Sequence, residues 1–192
     1  GSSTLSTASR PTDLEVRRLT ENGTLIWSSP IIVGPSSVLG QQTYLQFDAA
    51  ADGSSVVAVQ GQDVIRVIRL DDAGQTVFDR DLTSLFASTA LQLRTIDIAP
   101  GGDVMVSGFQ ESSPLSSLPG RASILRLNAV GQQVWRANEG SVRTEAAPGP
   151  AGDTFLASVD GNGALKVVRY DFQGNRVWAR PLPTAPQSHV EH

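Results

Sequence analysis

Three features of this 192-residue chain predict an all-β fold built from repeated antiparallel units. The first is a motif in which Arg is followed by Gly and then, nine residues after the Arg, by Trp or Phe. It occurs four times, as Arg18–Gly23–Trp27, Arg69–Gly74–Phe78, Arg126–Gly131–Trp135 and Arg169–Gly174–Trp178. The second is a two-residue alternation of apolar side chains ahead of each Arg, the period of a strand. The third is another Gly-containing turn before each of the last three motifs. Four strands per unit, at intervals of roughly 40 to 57 residues, match the blade spacing of a β-propeller. The expectation is a β-propeller-like array of four-stranded antiparallel blades, about three and a half in number, either half a propeller or a fragment.

Each Arg-to-aromatic motif reads as a β-hairpin. Its loop opens on a short polar residue and closes on Gly: Thr20–Gly23, Asp71–Gly74, Asn128–Gly131 and Asp171–Gly174. Asp or Asn at the opening accepts from its own backbone, and Gly supplies the positive φ that ends a four-residue turn. The incoming strands put Leu14 and Val16, Ile65 and Val67, Ala122 and Ile124, or Leu165 and Val167 on the face shared with the Arg. Three of them are apolar on the other face too, as at Ile68 with Leu70, Leu125 with Leu127, and Val168 with Tyr170. Strands apolar on both faces need cover on both, which stacked sheets provide. The first hairpin carries Glu15 and Arg17 there instead, the pattern of a terminal, capping unit.

Ahead of the later hairpins, strand pairs are expected at Tyr44–Ala49 with Val56–Val59, Thr95–Ile98 with Val104–Ser107, and Val142–Ala146 with Thr154–Val159. That makes three full units and a leading half. Insertions are expected at Ser28–Gln42, Thr83–Gln92 and Ser112–Gly120, read as tolerated surface loops or as binding loops on a committed scaffold. The repeat domain spans 13–180. Residues 1–12 read as a Ser/Thr-rich linker, stalk or cloning scar, and 181–192 as a Pro-containing tail or tag remnant. Pro181, Pro183 and Pro186 suit protection of the last edge strand.

Composition excludes several functions. The net charge is -4 and no basic run occurs, so the electrostatic footprint of a nucleic-acid binder is missing. No apolar stretch approaches the ~18 residues of a membrane helix, so membrane insertion is not expected. Without cysteine there is no disulfide, thiolate nucleophile or Cys-based zinc site.

The segment Asp97-Ile98-Ala99-Pro100-Gly101-Gly102-Asp103-Val104-Met105-Val106-Ser107-Gly108, followed by 124–135, resembles a bacterial and archaeal β-propeller repeat. That family repeats a Gly-Gly or Asp-Gly turn, an apolar strand, then a Leu-Asp-x-x-Gly-x-x-x-Trp hairpin. The resemblance covers about residues 13 to 180 and implies a propeller in an extracellular, periplasmic or cell-envelope protein without assigned chemistry. The Gly-to-Trp spacing is distantly similar to quinoprotein-like propeller repeats, but Asp71–Gly74 and Asp171–Gly174 are one residue short of them.

Candidate chemistry is sparse. His189 and His192 both lie in the tail, so no triad or His-metal cluster assembles. Asp48, Asp52, Asp97 and Asp103 all adjoin turns, where Asp has a structural role; paired carboxylates for glycoside hydrolysis are the competing reading. Asp160-Gly161-Asn162-Gly163 begins like a calcium loop but lacks Glu at the twelfth position and reads as a turn. The four repeated arginines suit a structural ion pair or an anion pocket, and the four aromatics suit packing between units or sugar stacking. No catalytic, cofactor or metal residue is assigned. The expectation is a non-catalytic binding or scaffold module that meets protein or glycan through its loops, with a homodimer completing a ring as a further partner. The alternatives are part of a propeller hydrolase or lyase whose catalytic residues lie outside this chain, and an excerpted or designed repeat protein that self-associates.

Overall fold

The computed structural model describes residues 2–7, 13–32, 44–61, 64–86, 91–110, 121–140, 143–159 and 163–183. Four antiparallel sheets follow one another along the chain. Sheet 1 comprises β1 (Ser2–Thr7), β2 (Asp13–Leu19) and β3 (Leu25–Ile32); sheet 2 comprises β4 (Tyr44–Ala49), β5 (Ser55–Gln60), β6 (Ile65–Leu70) and β7 (Thr76–Asp81). Sheet 3 holds β8 (Leu91–Ile98), β9 (Val104–Gln110), β10 (Arg121–Leu127) and β11 (Gln133–Gly140); sheet 4 holds β12 (Arg143–Pro148), β13 (Thr154–Val159), β14 (Leu165–Tyr170) and β15 (Arg176–Pro181). Every sheet is a meander in which sequence neighbours pair. A single 3-10 turn at Thr83–Phe86 is the only helical element among the described residues, none of which form a helix able to cross a membrane.

The sheets pack face to face, and the two-sided apolar strands are the reason. Val56, Ala58, Ile65, Val67 and Phe78 of sheet 2 meet Leu93, Ile96, Val106 and Leu125 of sheet 3. On its other face sheet 2 presents Val57, Val59, Ile68 and Leu70 to Leu14, Val16 and Ile31 of sheet 1. Met105, Ile124 and Trp135 of sheet 3 meet Leu156, Val168 and Tyr170 of sheet 4. The core is thus three seams in series, each made by one face of two consecutive sheets.

The hairpin turns form as expected. In the second motif the Gly74 N–H donates to the Asp71 carbonyl at 3.1 Å, and Asp71 Oδ1 accepts from the Ala73 and Gln75 N–H groups at 3.0 and 2.8 Å. Gly74 has a φ of 79°, which an L side chain adopts only with strain. Asn128 and Asp171 repeat this arrangement, and Thr20 Oγ1 supplies a single bond to the Thr24 N–H.

Several boundaries differ from the sequence expectation. The segment 1–12, read as a linker, contains β1, which pairs with β2 from Ser2↔Leu19 to Thr7↔Leu14. Its Thr and Ser residues suit an edge strand, so the first unit has three strands rather than a hairpin alone. Ser28–Ile32, assigned to an insertion, continues β3 against 13–17, because the alternation of Trp27, Ser29 and Ile31 extends the strand. In Thr83–Gln92 the 3-10 turn and the first residues of β8 take up both ends; 87–90, the 112–120 insertion and 33–42 lie outside the described residues. So do His189, His192 and Asp160–Asn162.

Candidate functional site: the interlock between successive sheets

The repeated Arg and aromatic residues sit opposite one another across the third and fourth strands of each unit: Arg18↔Trp27, Arg69↔Phe78, Arg126↔Trp135 and Arg169↔Trp178. The first three pairs project from the face turned toward the following sheet, and Arg169 with Trp178 from the outer face of sheet 4. Trp27 donates its Nε1–H to the Asp72 carbonyl at 2.8 Å, and Arg18 Nη1 donates to the same oxygen at 2.9 Å. Trp135 donates likewise to the Phe172 carbonyl at 3.1 Å. Arg69 Nη1 donates to the equivalent Ala129 carbonyl at 2.8 Å, while Arg80, which follows Phe78 by two, donates to the Gly131 carbonyl at 3.1 Å.

Glycine is required where these side chains land. A Cβ on Gly74 would lie 2.7 Å from the Trp27 ring, one on Gly131 2.6 Å from Phe78, and one on Gly174 2.5 Å from Trp135. The earlier turn of each unit is used in the same way: Gly53 and Gly102 lie against the guanidinium groups of Arg18 and Arg69. The motif therefore encodes a donor in one sheet and an acceptor turn in the next. Across the seams these donors meet backbone carbonyls, so the sequence alone displays the donors and the glycines but not the bonds.

Arg126 is the most enclosed of the four arginines, at 3 % exposure. Its Nε and Nη2 donate to Asp103 Oδ2 at 2.9 and 2.7 Å, Nη1 donates to the Gly152 carbonyl, and its guanidinium lies 4.4 Å from the Phe172 ring centroid. Arg169 keeps the equivalent bond to Asp153, at 2.7 Å. The four arginines thus serve separate structural contacts and do not converge on one pocket. Trp135 also stacks on Tyr170 at 5.6 Å, whose hydroxyl donates to Glu139. Burial, and then that bond and the Glu139 charge, hold the Tyr170 phenol well above its ordinary range. Burial pushes Glu139 up, but donors from Tyr170 and Lys166 outweigh it, and its carboxyl ends below the usual value.

The carboxylates singled out in the sequence divide. Asp52 is lowered by bonds from the Ser54 side chain and backbone, and Asp103 is committed to Arg126. Asp48 lies on β4 and accepts from the Ala49 N–H and, across the seam, from the Ile98 N–H, both at 2.8 Å. Asp97 on β8 is different. Its Oδ2 is buried without a partner, and burial, with the Asp48 charge beside it, raises its pKa to about 6. Asp48 and Asp97 occupy equivalent positions on the first strands of successive sheets, and Ala147 takes that place in sheet 4. The two are like-charged neighbours in a seam, and no third His, Cys, Asp or Glu joins them to hold a metal among the described residues.

No family model matches the chain, and no curated protein matches it. Solved structures that match include a protein of unknown function from Bacteroides caccae, at 16% identity over 88% of this chain and 78% of that chain, with a TM-score of 0.33. A likeness that loose carries no argument about function.

Proposed function

We propose that this chain is a non-catalytic binding or scaffold module, a β-propeller-like array whose stacked sheets hold loops that contact protein or glycan. One observation carries the reading. The turns at 20–24, 50–54, 71–75, 99–103, 128–132, 149–153 and 171–175 all join strand ends at one end of the stack, whereas the strand ends at Ile32 and Tyr44, Asp81 and Leu91, and Gln110 and Arg121 lie at the opposite end. Binding through the segments that connect those strand ends would use the end of the packed sheets that the interlocking turns leave free.

A non-catalytic reading is supported by how most of the described carboxylates are used, although the buried Asp97 Oδ2 has no partner. Asp52, Asp71, Asp81 and Asp171 satisfy turns, and Asp103, Asp153 and Glu139 are paired with cations. The resemblance of the repeat supports an extracellular or cell-envelope location. The test is a glycan array and a pull-down with the full chain, repeated with 112–118 replaced by a Gly/Ser segment of equal length. The reading expects a ligand whose binding the replacement removes at unchanged thermal stability; no ligand in either format, or binding indifferent to the loops, refutes it.

A further inference from the structure

The interlock runs in one direction, so the stack has two unlike ends, and each lacks what the other displays. At the sheet 4 end Arg169 is bonded within its own sheet to Asp153, and no sheet among the described residues lies beyond it, Trp178 and Arg180. Arg169, Trp178 and Arg180 stand where Arg69, Phe78 and Arg80 stand in sheet 2, the three residues that grip sheet 3. Around them Phe155, Ala157, Leu165 and Val167 occupy the positions of Val56, Ala58, Ile65 and Val67. In sheet 2 those four are buried, with Val56, Ala58 and Val67 at 0 % exposure. In sheet 4 Ala157 is exposed and the other three are only partly covered. A cleft of about 300 Å³ opens at the β12 side, lined by Ala157, Val159 and Leu165 together with Thr144, Glu145 and Arg94 of sheet 3. Trp178 rests against Phe155 at 6.1 Å, with the Arg180 guanidinium 5.1 Å from its ring centroid, in place of a neighbouring turn.

At the sheet 1 end the acceptor is complete but receives no donor from the described residues. The Thr20–Gly23 turn has the geometry of the other three, with the Gly23 N–H bonded to the Thr20 carbonyl at 3.0 Å and a φ of 79°. Yet a Cβ on Gly23 would meet no atom within 4 Å, whereas Gly74, Gly131 and Gly174 each carry an aromatic ring. Glu21 stands where Asp72, Ala129 and Phe172 offer their carbonyls. Its carboxylate is exposed beside that carbonyl and suits the cationic Arg169 and Arg180. Leu19 keeps the apolar position of Leu70 and Leu127, while Arg17 and Glu15 beside it neutralise each other in an ion pair.

We infer that the outer face of sheet 4 docks the first sheet of a second copy of this chain, Trp178 seating on Gly23 and donating to the Glu21 carbonyl. Arg169 shares that oxygen, as Arg18 shares Asp72 with Trp27, and Arg180 donates to the Gly23 carbonyl, as Arg80 does to Gly131. The interface is heterologous, head to tail, and continues the seams already present within the chain. This inference rests on the stacked-sheet part of the function proposed above and is independent of what the loops bind.

Complementation tests it. Gly23→Asn adds a Cβ to the acceptor in a residue that tolerates positive φ, and Trp178→Ala removes the donor. Light scattering on size exclusion, from 1 µM upward, should show concentration-dependent association of the native chain and at least tenfold weaker association of either variant. Mixed together, the variants should form a 1:1 dimer that does not grow, since one keeps the donor and the other the acceptor. Arg180→Ala, which leaves both glycine and ring in place, should weaken association without changing the monomer's melting temperature. A native chain that stays monomeric at 1 mM, association unaffected by either variant, or variants that fail to pair while the native chain associates, would each overturn the inference. Melting of the dilute monomers separates this from failure of the stack itself, in which case Trp178→Ala and Trp135→Ala would be equally harmless.

Discussion

Gly131→Ala and Gly23→Ala change the same atom in the same turn, and the structure assigns them different costs. Both glycines have φ near 78°, so both variants place an L residue in the left-handed region at about 1–2 kcal/mol. At Gly23 that is the whole cost, because the new methyl enters open space. At Gly131 the methyl arrives 2.6 Å from Phe78 Cγ, well inside van der Waals contact, and Phe78 is 5 % exposed with sheets 2 and 3 closed around it. Overpacking of this kind adds about 1–3 kcal/mol. Gly131→Ala should therefore destabilise by about 2–5 kcal/mol, and Gly23→Ala by about 1–2 kcal/mol. Urea unfolding followed by tryptophan fluorescence, at micromolar protein to avoid association, reads both from the shift in midpoint at constant m. Equal costs for the two variants would refute the claim that the aromatic of one sheet seats on the glycine of the next.

Three further outcomes follow from the same contacts. Arg126→Ala strands the Asp103 carboxylate and opens a gap over Phe172, and should cost about 3–5 kcal/mol by the same urea titration; Arg17→Ala, which breaks an exposed pair, should cost under about 1 kcal/mol. Trp135→Ala should cost about 3–5 kcal/mol, and Trp178→Ala in the monomer much less, because Trp135 is buried between two sheets while Trp178 packs against its own sheet alone among the described residues. Asp97 gives a pH signature with a definite sign. Its folded pKa is raised, from an ordinary 3.8 to about 6, so the unfolded chain gives up its proton first and stability falls as pH rises between about 4 and 6. Asp97→Asn should remove that fall and raise the melting temperature above pH 7 while changing little at pH 3.5. The gain is on the order of 1 kcal/mol once partial solvent screening is allowed for. A melting temperature that gains equally at both pH values would contradict the burial of Asp97 beside Asp48.

What the sequence made legible was local. The loops from Asp71 to Gly74 and from Asn128 to Gly131 announce their turns because side-chain acceptor and glycine lie within four residues of each other. The strands beside them announce two buried faces through Val56 to Val59 and Ile124 to Leu127. What depends on distant partners stayed hidden. The Asp72, Ala129 and Phe172 carbonyls receive Trp27, Arg69 and Trp135 through backbone atoms that any residue would supply. Asp97 looks like every other Asp near a turn until the neighbouring sheet brings Asp48 toward it and excludes water. β1 was obscured by composition: Ser2–Thr7 reads as a linker because its strand character depends on pairing with β2. Arg169, Trp178 and Arg180 match Arg69, Phe78 and Arg80 by spacing alone, but only the fold shows that one set is gripped and the other is not.

The indole N–H groups offer the most direct measurement, since the chain has three tryptophans and the account gives each a different fate. Trp27 and Trp135 donate across a seam to Asp72 and Phe172, whereas Trp178 has no acceptor among the described residues of its own chain. Hydrogen exchange followed by nitrogen–proton NMR, on dilute monomer, should show two indole protons protected and the third exchanging rapidly. Three fast indoles, or protection of Trp178 in place of Trp27 or Trp135, would contradict the interlock between successive sheets on which the whole reading stands.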